Sequence, residues 1–234
     1  MLKIGVMPSS FRIPFKDAAL RARDMGAKGL QPYVTEGELA PENLTADDRR
    51  DLLRFVRGCG LTFSALCADF GMDFSDYGNN AAGIKRTMSM MDLARDLDTH
   101  VITTHIGHVP DDPESTAYKN ICRTIEELGK YGDSIGVCFA TETGPESAVK
   151  LRGILERVDT KSAKVNLDPA NFVMLCGQDP VEAVHVLKDY IVHTHAKDGI
   201  KTGETTYQEL PLGTGAVPYP EYLAALRDEG FDGF

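Results

Sequence analysis

A chain of 234 residues, 42% of them hydrophobic, can bury one large core, and no run approaches the roughly 20 apolar residues of a membrane helix, so a membrane partner is excluded. With 25 Lys and Arg against 35 Asp and Glu, the formal charge of −10 repels phosphate backbones, and no basic stripe is interleaved with aromatics, so no nucleic acid partner is expected. Cys59, Cys67, Cys122, Cys138 and Cys176 form no C-x-x-C pair and are odd in number, which excludes a disulfide framework and predicts reduced, mostly buried thiols.

The N-terminal Met1-Leu2-Lys3-Ile4-Gly5-Val6 enters a strand without a signal-peptide pattern, making the cytoplasm the expected location. Lys3 to Ser9 reads as strand one. Pro14 to Met25 then carries Phe15, Ala18, Ala19, Ala22 and Met25 at helical spacing before Gly26. Gly29 to Val34 is the second strand, and Thr45-Ala-Asp-Asp opens a capped helix that buries Leu52, Leu53 and Val56. Leu61 to Cys67 is the third strand, followed by a polar loop from Ala68 to Asn79 and a helix from Asn80 to Leu97. That helix is expected to bury Ile84, Met88, Met91 and Leu93 or Ala94, with its Met residues as core filling. Val101 to His105 (strand four) leads to a helix over Ser115 to Tyr131. Gly136 to Thr141 (strand five) leads to one over Glu146 to Val158. Ala163 to Leu167 (strand six) leads to Pro180 to Tyr190, and Ile191 to Ala196 (strand seven) to Pro218 to Glu229.

Strand and helix alternate seven times without a linker, which predicts one domain over residues 1–234 built on a parallel sheet with right-handed crossovers. An open doubly wound sheet and a closed (β/α)8 TIM barrel both fit. The barrel is preferred because no Gly-x-Gly-x-x-Gly follows strand one and polar residues gather after many strands. Gly230 to Phe234 approaches an eighth strand, and the sequence ends before that strand is made, so the domain is expected to be C-terminally incomplete.

Barrel enzymes place their chemistry at the C-terminal strand ends. In Ile191-Val-His-Thr-His-Ala-Lys-Asp198, alternation puts His193, His195 and Lys197 on one side. Strand four contributes His105, with His108 beyond it, strand five Glu142 and strand six Asp168. Two carboxylates and an imidazole from adjacent strands match the ligands that Mn2+, Mg2+, Co2+ or Zn2+ prefer. Each also has a plainer reading. Glu142 can cap a helix, Asp168 can serve the turn before Pro169, and His105 or the His193–His195 pair can be hydrogen-bonded core residues.

Glu142 in Ala-Thr-Glu-Thr-Gly, Asp168 in Asn-Leu-Asp-Pro-Ala-Asn, His195 in His-Thr-His-Ala-Lys-Asp-Gly, and Gly213-Thr214-Gly215 together resemble the xylose isomerase-like barrels, which include sugar and sugar-phosphate isomerases and epimerases. The resemblance spans essentially the whole chain. It implies a divalent metal held by Glu142, Asp168, His195 and a strand-eight Glu; the sequence ends at Phe234 before such a residue, so a fragment of a longer protein is expected, the alternative being an incomplete and inactive site. It also implies a ketose or sugar-phosphate substrate isomerised or epimerised through a metal-stabilised enediolate, with Glu142 as ligand and acid/base. His105, Asn171 and Lys197 are expected to contact substrate; Asn171 stands where several members carry His. Barrels of this family commonly pair, so a homodimer is one expected assembly. Metal-assisted phosphodiester cleavage, as in apurinic endonucleases, and non-catalytic sugar binding are the alternatives.

Overall fold

Short apolar runs form parallel strands that each return through a helix. The computed structural model describes residues 3–234; Met1 and Leu2, expected to lead into strand one, lie outside the described residues. β1 (Gly5–Val6), β2 (Gly29–Leu30) and β3 (Thr62–Phe63) form one parallel sheet. β4 (Leu66–Cys67), β5 (Val101–Thr104), β6 (Cys138–Glu142), β7 (Ala163–Leu167) and β8 (Ile191–Thr194) form a second, in that order. The expected third strand is thus split into β3 and β4, each paired with a different neighbour, and a parallel bridge between Tyr33 and Cys67 ties the two sheets.

The helices are α1 (Phe15–Asp24), α2 (Ala46–Gly58), α3 (Ala81–Asp96), α4 (Thr116–Ile135), α5 (Ala148–Leu155), the single turn α6 (Pro169–Asn171), α7 (Pro180–Leu187) and α8 (Tyr219–Asp228). Their apolar faces and the outward strand residues share one core, in which Leu30, Ile102, Phe139, Val165 and Leu167 are fully buried. This is the expected (β/α)8-type barrel, and among the described residues no eighth barrel strand is formed. Phe234 instead lies beside β8 in the seam between the two sheets, with its ring against Gly29 of β2. Its carbonyl accepts from the Thr194 amide at 3.0 Å, and its ring lies where a side chain on Gly29 would stand.

Local chemistry sets the boundaries. Thr45 and Asp48 cap α2 reciprocally, as their spacing predicts. α4 begins after the Ser115 cap but runs past the expected Tyr131 to Ile135, because only Gly136, at φ 74°, offers the left-handed residue that ends it. α5 starts two residues after the expected Glu146, since that side chain turns back to the Gly144 amide and Ser147 takes the capping role. In α3 the deeply buried methionines are Met90 and Met91, while the expected Met88 is half-buried. Of the five free cysteines, Cys67 alone is buried and the rest are partly exposed.

Two features have no counterpart in the sequence reading. A π-helical turn, Phe172–Cys176, continues α6, and an antiparallel hairpin of β9 (Asp198–Lys201) and β10 (Tyr207–Leu210) rises beyond β8. Among the described residues no helix is long and apolar enough to cross a membrane.

Candidate metal centre

Glu142 ends β6, Asp168 follows β7 and His195 follows β8, so three adjacent strands deliver their last polar residue to one rim. Their ligand atoms all lie within 4.8 Å of one another. His195 Nδ1 is 3.2 Å from Glu142 Oε1 and 3.7 Å from Asp168 Oδ2. With ligand bonds of about 2.0–2.2 Å, two ligands on one ion stand roughly 3–4 Å apart, so the set needs little movement to close on a cation. Asp168 has its Oδ1 committed to the backbone amides of Ala170 and Asn171, whereas the fully buried Oδ2 is directed at the centre, where it faces the Lys197 ammonium and the His195 ring. A buried carboxylate oxygen with no backbone partner, beside an imidazole nitrogen and a second carboxylate, is a donor set that suits a divalent ion.

The far side of the His195 ring supports the same geometry. Gln31 donates its amide to Thr103 Oγ1 at 2.9 Å and presents its oxygen to His195 Nε2 at 2.9 Å. That oxygen can only accept and lies nearer to Nε2 than the Asn166 amide nitrogen at 3.2 Å, which favours a proton on Nε2 and leaves Nδ1 facing the carboxylates. Asn166 bridges His195 and His193, with its Oδ1 accepting from His193 Nδ1 at 2.9 Å. Burial holds His193 neutral, its pKa lowered to about 3, with the nearby His195 acting in the same direction. His193 therefore supports the ligand strand.

The protein's own cations also face these carboxylates. Lys197 Nζ lies 2.8 Å from Asp168 Oδ2 and 2.8 Å from Asn171 Oδ1. Burial opposes charge on His195, but its bonds to Asp168 and Glu142 outweigh that and raise its pKa to about 9. Burial likewise pushes the Asp168 carboxyl up, and His195 and Lys197 more than reverse this, leaving it below the usual carboxylate range. Asn171 is buried, donates to the Thr143 carbonyl at 2.7 Å and accepts from Lys197 Nζ, which orients the ammonium.

His105 lies at the edge of this group. Its Nε2 is 3.6 Å from Glu142 Oε1 and its Nδ1 is 2.7 Å from Asp69 Oδ2. The hydrogen bond to Asp69 raises the His105 pKa against the opposing effect of burial. His108 is exposed. Gln31, Asp69 and Glu146 were not singled out in the sequence. Asp69 follows the third strand, so collecting the polar residue there as well finds it, whereas Gln31 falls inside the expected Gly29 to Val34 strand and is left at the rim only because β2 stops at Leu30. Glu146 carries no such signal; it is buried, its Oε2 is unpartnered, and burial raises its pKa.

A family model described as xylose isomerase-like TIM barrel matches residues 19–234. Among solved structures, a xylose isomerase domain protein from Planctomyces limnophilus is similar at a TM-score of 0.86 and 22% identity, covering 99% of this chain and 88% of its own. A D-tagatose 3-epimerase-like protein is similar at 0.81 and 18%, covering 99% and 88%. A probable 3-DHS dehydratase involved in petrobactin synthesis, from Bacillus anthracis, is similar at 0.77 and 20%, covering 97% and 89%. No curated protein matches. At these identities the structural likenesses establish a common fold.

Proposed function

Because the chain belongs to the xylose isomerase-like TIM-barrel family, we propose that it is a divalent-metal-dependent isomerase or epimerase of a ketose or sugar phosphate. The observation that carries this reading is the convergence of Glu142, Asp168 and His195, with Asp168 Oδ2 directed at the centre and His195 Nε2 held by Gln31. The names of the similar solved structures, a D-tagatose 3-epimerase-like protein among them, point to the same substrate class.

A cation held by Glu142, Asp168 and His195 would polarise a carbonyl and its neighbouring hydroxyl and so acidify the carbon between them. Glu142 is the base for that carbon's proton and returns it to the neighbouring carbon, which isomerises the sugar; epimerisation needs a second acid on the opposite face. Lys197, half-exposed and steadied by Asn171, donates to a substrate oxygen, a role open to a compact ammonium with free donors. The same removal of a proton beside a carbonyl would serve a dehydratase, whereas phosphodiester cleavage fits less well. Among the described residues only one group of three metal-ligating side chains gathers, and the chain is acidic.

The test follows deuterium entering the carbons beside the carbonyl, using Mn2+ and a panel of free and phosphorylated ketoses in heavy water. Calorimetry gives the metal stoichiometry. One ion per chain is expected, lost in Asp168→Asn and His195→Gln, with exchange slowed by about 100-fold or more in Glu142→Gln. Exchange at the original rate in Glu142→Gln, or no metal bound at all, would remove the proposal.

A further inference from the structure

A sugar phosphate differs from the free sugar by close to two negative charges, and a phosphoryl group is held by backbone amides or by cations with no other partner. Barrels often place such amides in the loop after the seventh strand. Here β8 is the seventh barrel strand, and the chain beyond its hairpin carries Gly213-Thr214-Gly215. Every amide from Gly213 to Val217 is already in use. Those of Gly213, Gly215 and Val217 donate to the Asp198 carboxylate at 2.9, 3.0 and 3.1 Å, that of Thr214 to the Pro211 carbonyl at 3.0 Å, and that of Ala216 to the Gly199 carbonyl at 2.9 Å. The rim after β7 is committed in the same way, with the Asp168 amide on Thr143 Oγ1 and the Ala170 and Asn171 amides on Asp168 Oδ1. After β6, the amides of Thr143 and Gly144 serve the Asn166 carbonyl and Glu146 Oε1.

Charge at the rim is balanced as closely as the amides are filled. Among the described residues, Lys197 is the one ammonium or guanidinium paired with the carboxylates of the centre. Its Nζ is 2.8 Å from Asp168 Oδ2, 2.8 Å from Asn171 Oδ1 and 3.9 Å from Oε1 of Glu209, which stands on β10 with 61% of its side chain exposed. Glu142, Asp168 and Glu209 therefore match the charge of Lys197 and one divalent ion, and Asp69 faces His105. That balance leaves no net positive charge for a dianion, whereas an exposed carboxylate accepts readily from sugar hydroxyls. We propose that the substrate is an unphosphorylated ketose, selected because the amide donors of the rim are held by the protein's own acceptors and because Glu209 balances Lys197. The inference rests on the isomerase reading above and narrows its substrate class.

The test compares matched pairs, D-fructose with D-fructose 6-phosphate and D-tagatose with D-tagatose 6-phosphate, in Mn2+-dependent deuterium exchange. In the parent protein kcat/KM should favour the free sugar by about 100-fold, as expected where a charged group finds no partner. Glu209→Gln and Glu209→Lys then make the surroundings of Lys197 progressively more positive. The preference should narrow by about threefold in the first and about tenfold in the second, through a gain on the phosphorylated sugars. A mere disturbance of the hairpin would slow both members of a pair alike and leave their ratio where it was. A preference under about tenfold in the parent overturns the proposal. So does a ratio that Glu209→Lys does not move. Should the parent exchange no ketose at all, the isomerase reading fails by itself, and calorimetry of the Mn2+-loaded protein with the same pairs then decides the substrate class. Tighter binding of the free sugar sustains the inference, and tighter binding of the phosphorylated one, or binding of neither, ends it.

Discussion

Held between Glu142 and Asp168, the His195 ring keeps its proton up to about pH 9 in the metal-free protein, against 6.5 for an ordinary histidine. A pKa raised on folding contributes stability that is fully present below about 6.5 and is lost as pH rises through 9. The shift corresponds to about 3 kcal/mol, part of the same pairing that lowers Asp168 and not additional to it. Metal-free protein unfolded in urea should therefore lose about that much stability between about pH 6 and pH 9.5, and His195→Gln should flatten the slope. A divalent ion reverses the sign, because ligation needs the neutral imidazole. Its affinity should climb over the same window, and calorimetry in buffers of different ionisation heat should find about one proton released per ion. A slope of the same sign with and without Mn2+ would count against ligation by His195. At this scale Glu142, Asp168 and His195 were legible in the sequence, since a polar residue closing an apolar strand marks itself. The tautomer of His195 was not, because Gln31 is 164 positions away and meets the ring only when the barrel curls round.

The β9–β10 hairpin was illegible for a different reason. Tyr207, Gln208 and Glu209 are exposed, so β10 has no alternation of apolar and polar residues to betray it. What holds the hairpin is a single carboxylate. Asp198 accepts from the amides of Gly199 at 2.8 Å, Gly213 at 2.9 Å, Gly215 at 3.0 Å and Val217 at 3.1 Å. A side chain on Gly215 would collide with Asp198, which explains the small residue in that loop. Burial raises the Asp198 carboxyl, and these four donors more than offset it, so its pKa is lowered. The Tyr219 hydroxyl donates to the Lys197 carbonyl at 2.7 Å, so the backbone on both sides of Lys197 is fixed. Asp198→Ala strands several buried donors and should cost about 3 kcal/mol. Hydrogen exchange should then accelerate at Gly213, Gly215 and Val217 first, while amides of β6 and β7 stay protected; uniform acceleration would mean that the carboxylate holds the whole barrel. Elsewhere the elements read well from sequence. Seven βα units and the Thr45 capping box follow from periodicity and cap chemistry, and the shortened strands reflect loops at the functional rim that take over where hydrogen-bonded pairing stops.

The molecule as a whole brings its two sheets together at the site. Gln31 extends the first sheet through its amide bond to the Val6 carbonyl, at 3.0 Å, and reaches across to His195 on the second. In an extended strand alternate residues share a face, so Gly29 and Gln31 both turn to the barrel interior. The Phe234 ring occupies the space that Gly29 leaves, and its carbonyl bonds the amide of Thr194, the neighbour of His195. Phe234 thus sets the spacing across the seam that Gln31 must bridge. If so, a substitution remote from the ligands should weaken the ion along with the fold. Phe234→Ala is expected to cost about 2 kcal/mol, less than a fully buried ring because this one is half-exposed, and to lower metal affinity several-fold. Phe234→Leu, which keeps most of the filling, should fall between. The decisive measurement is a double-mutant cycle on metal affinity with Gln31→Ala. Losses smaller together than the sum of the separate losses would mean that both act through the orientation of His195, and strictly additive losses would place the effect of Phe234 elsewhere.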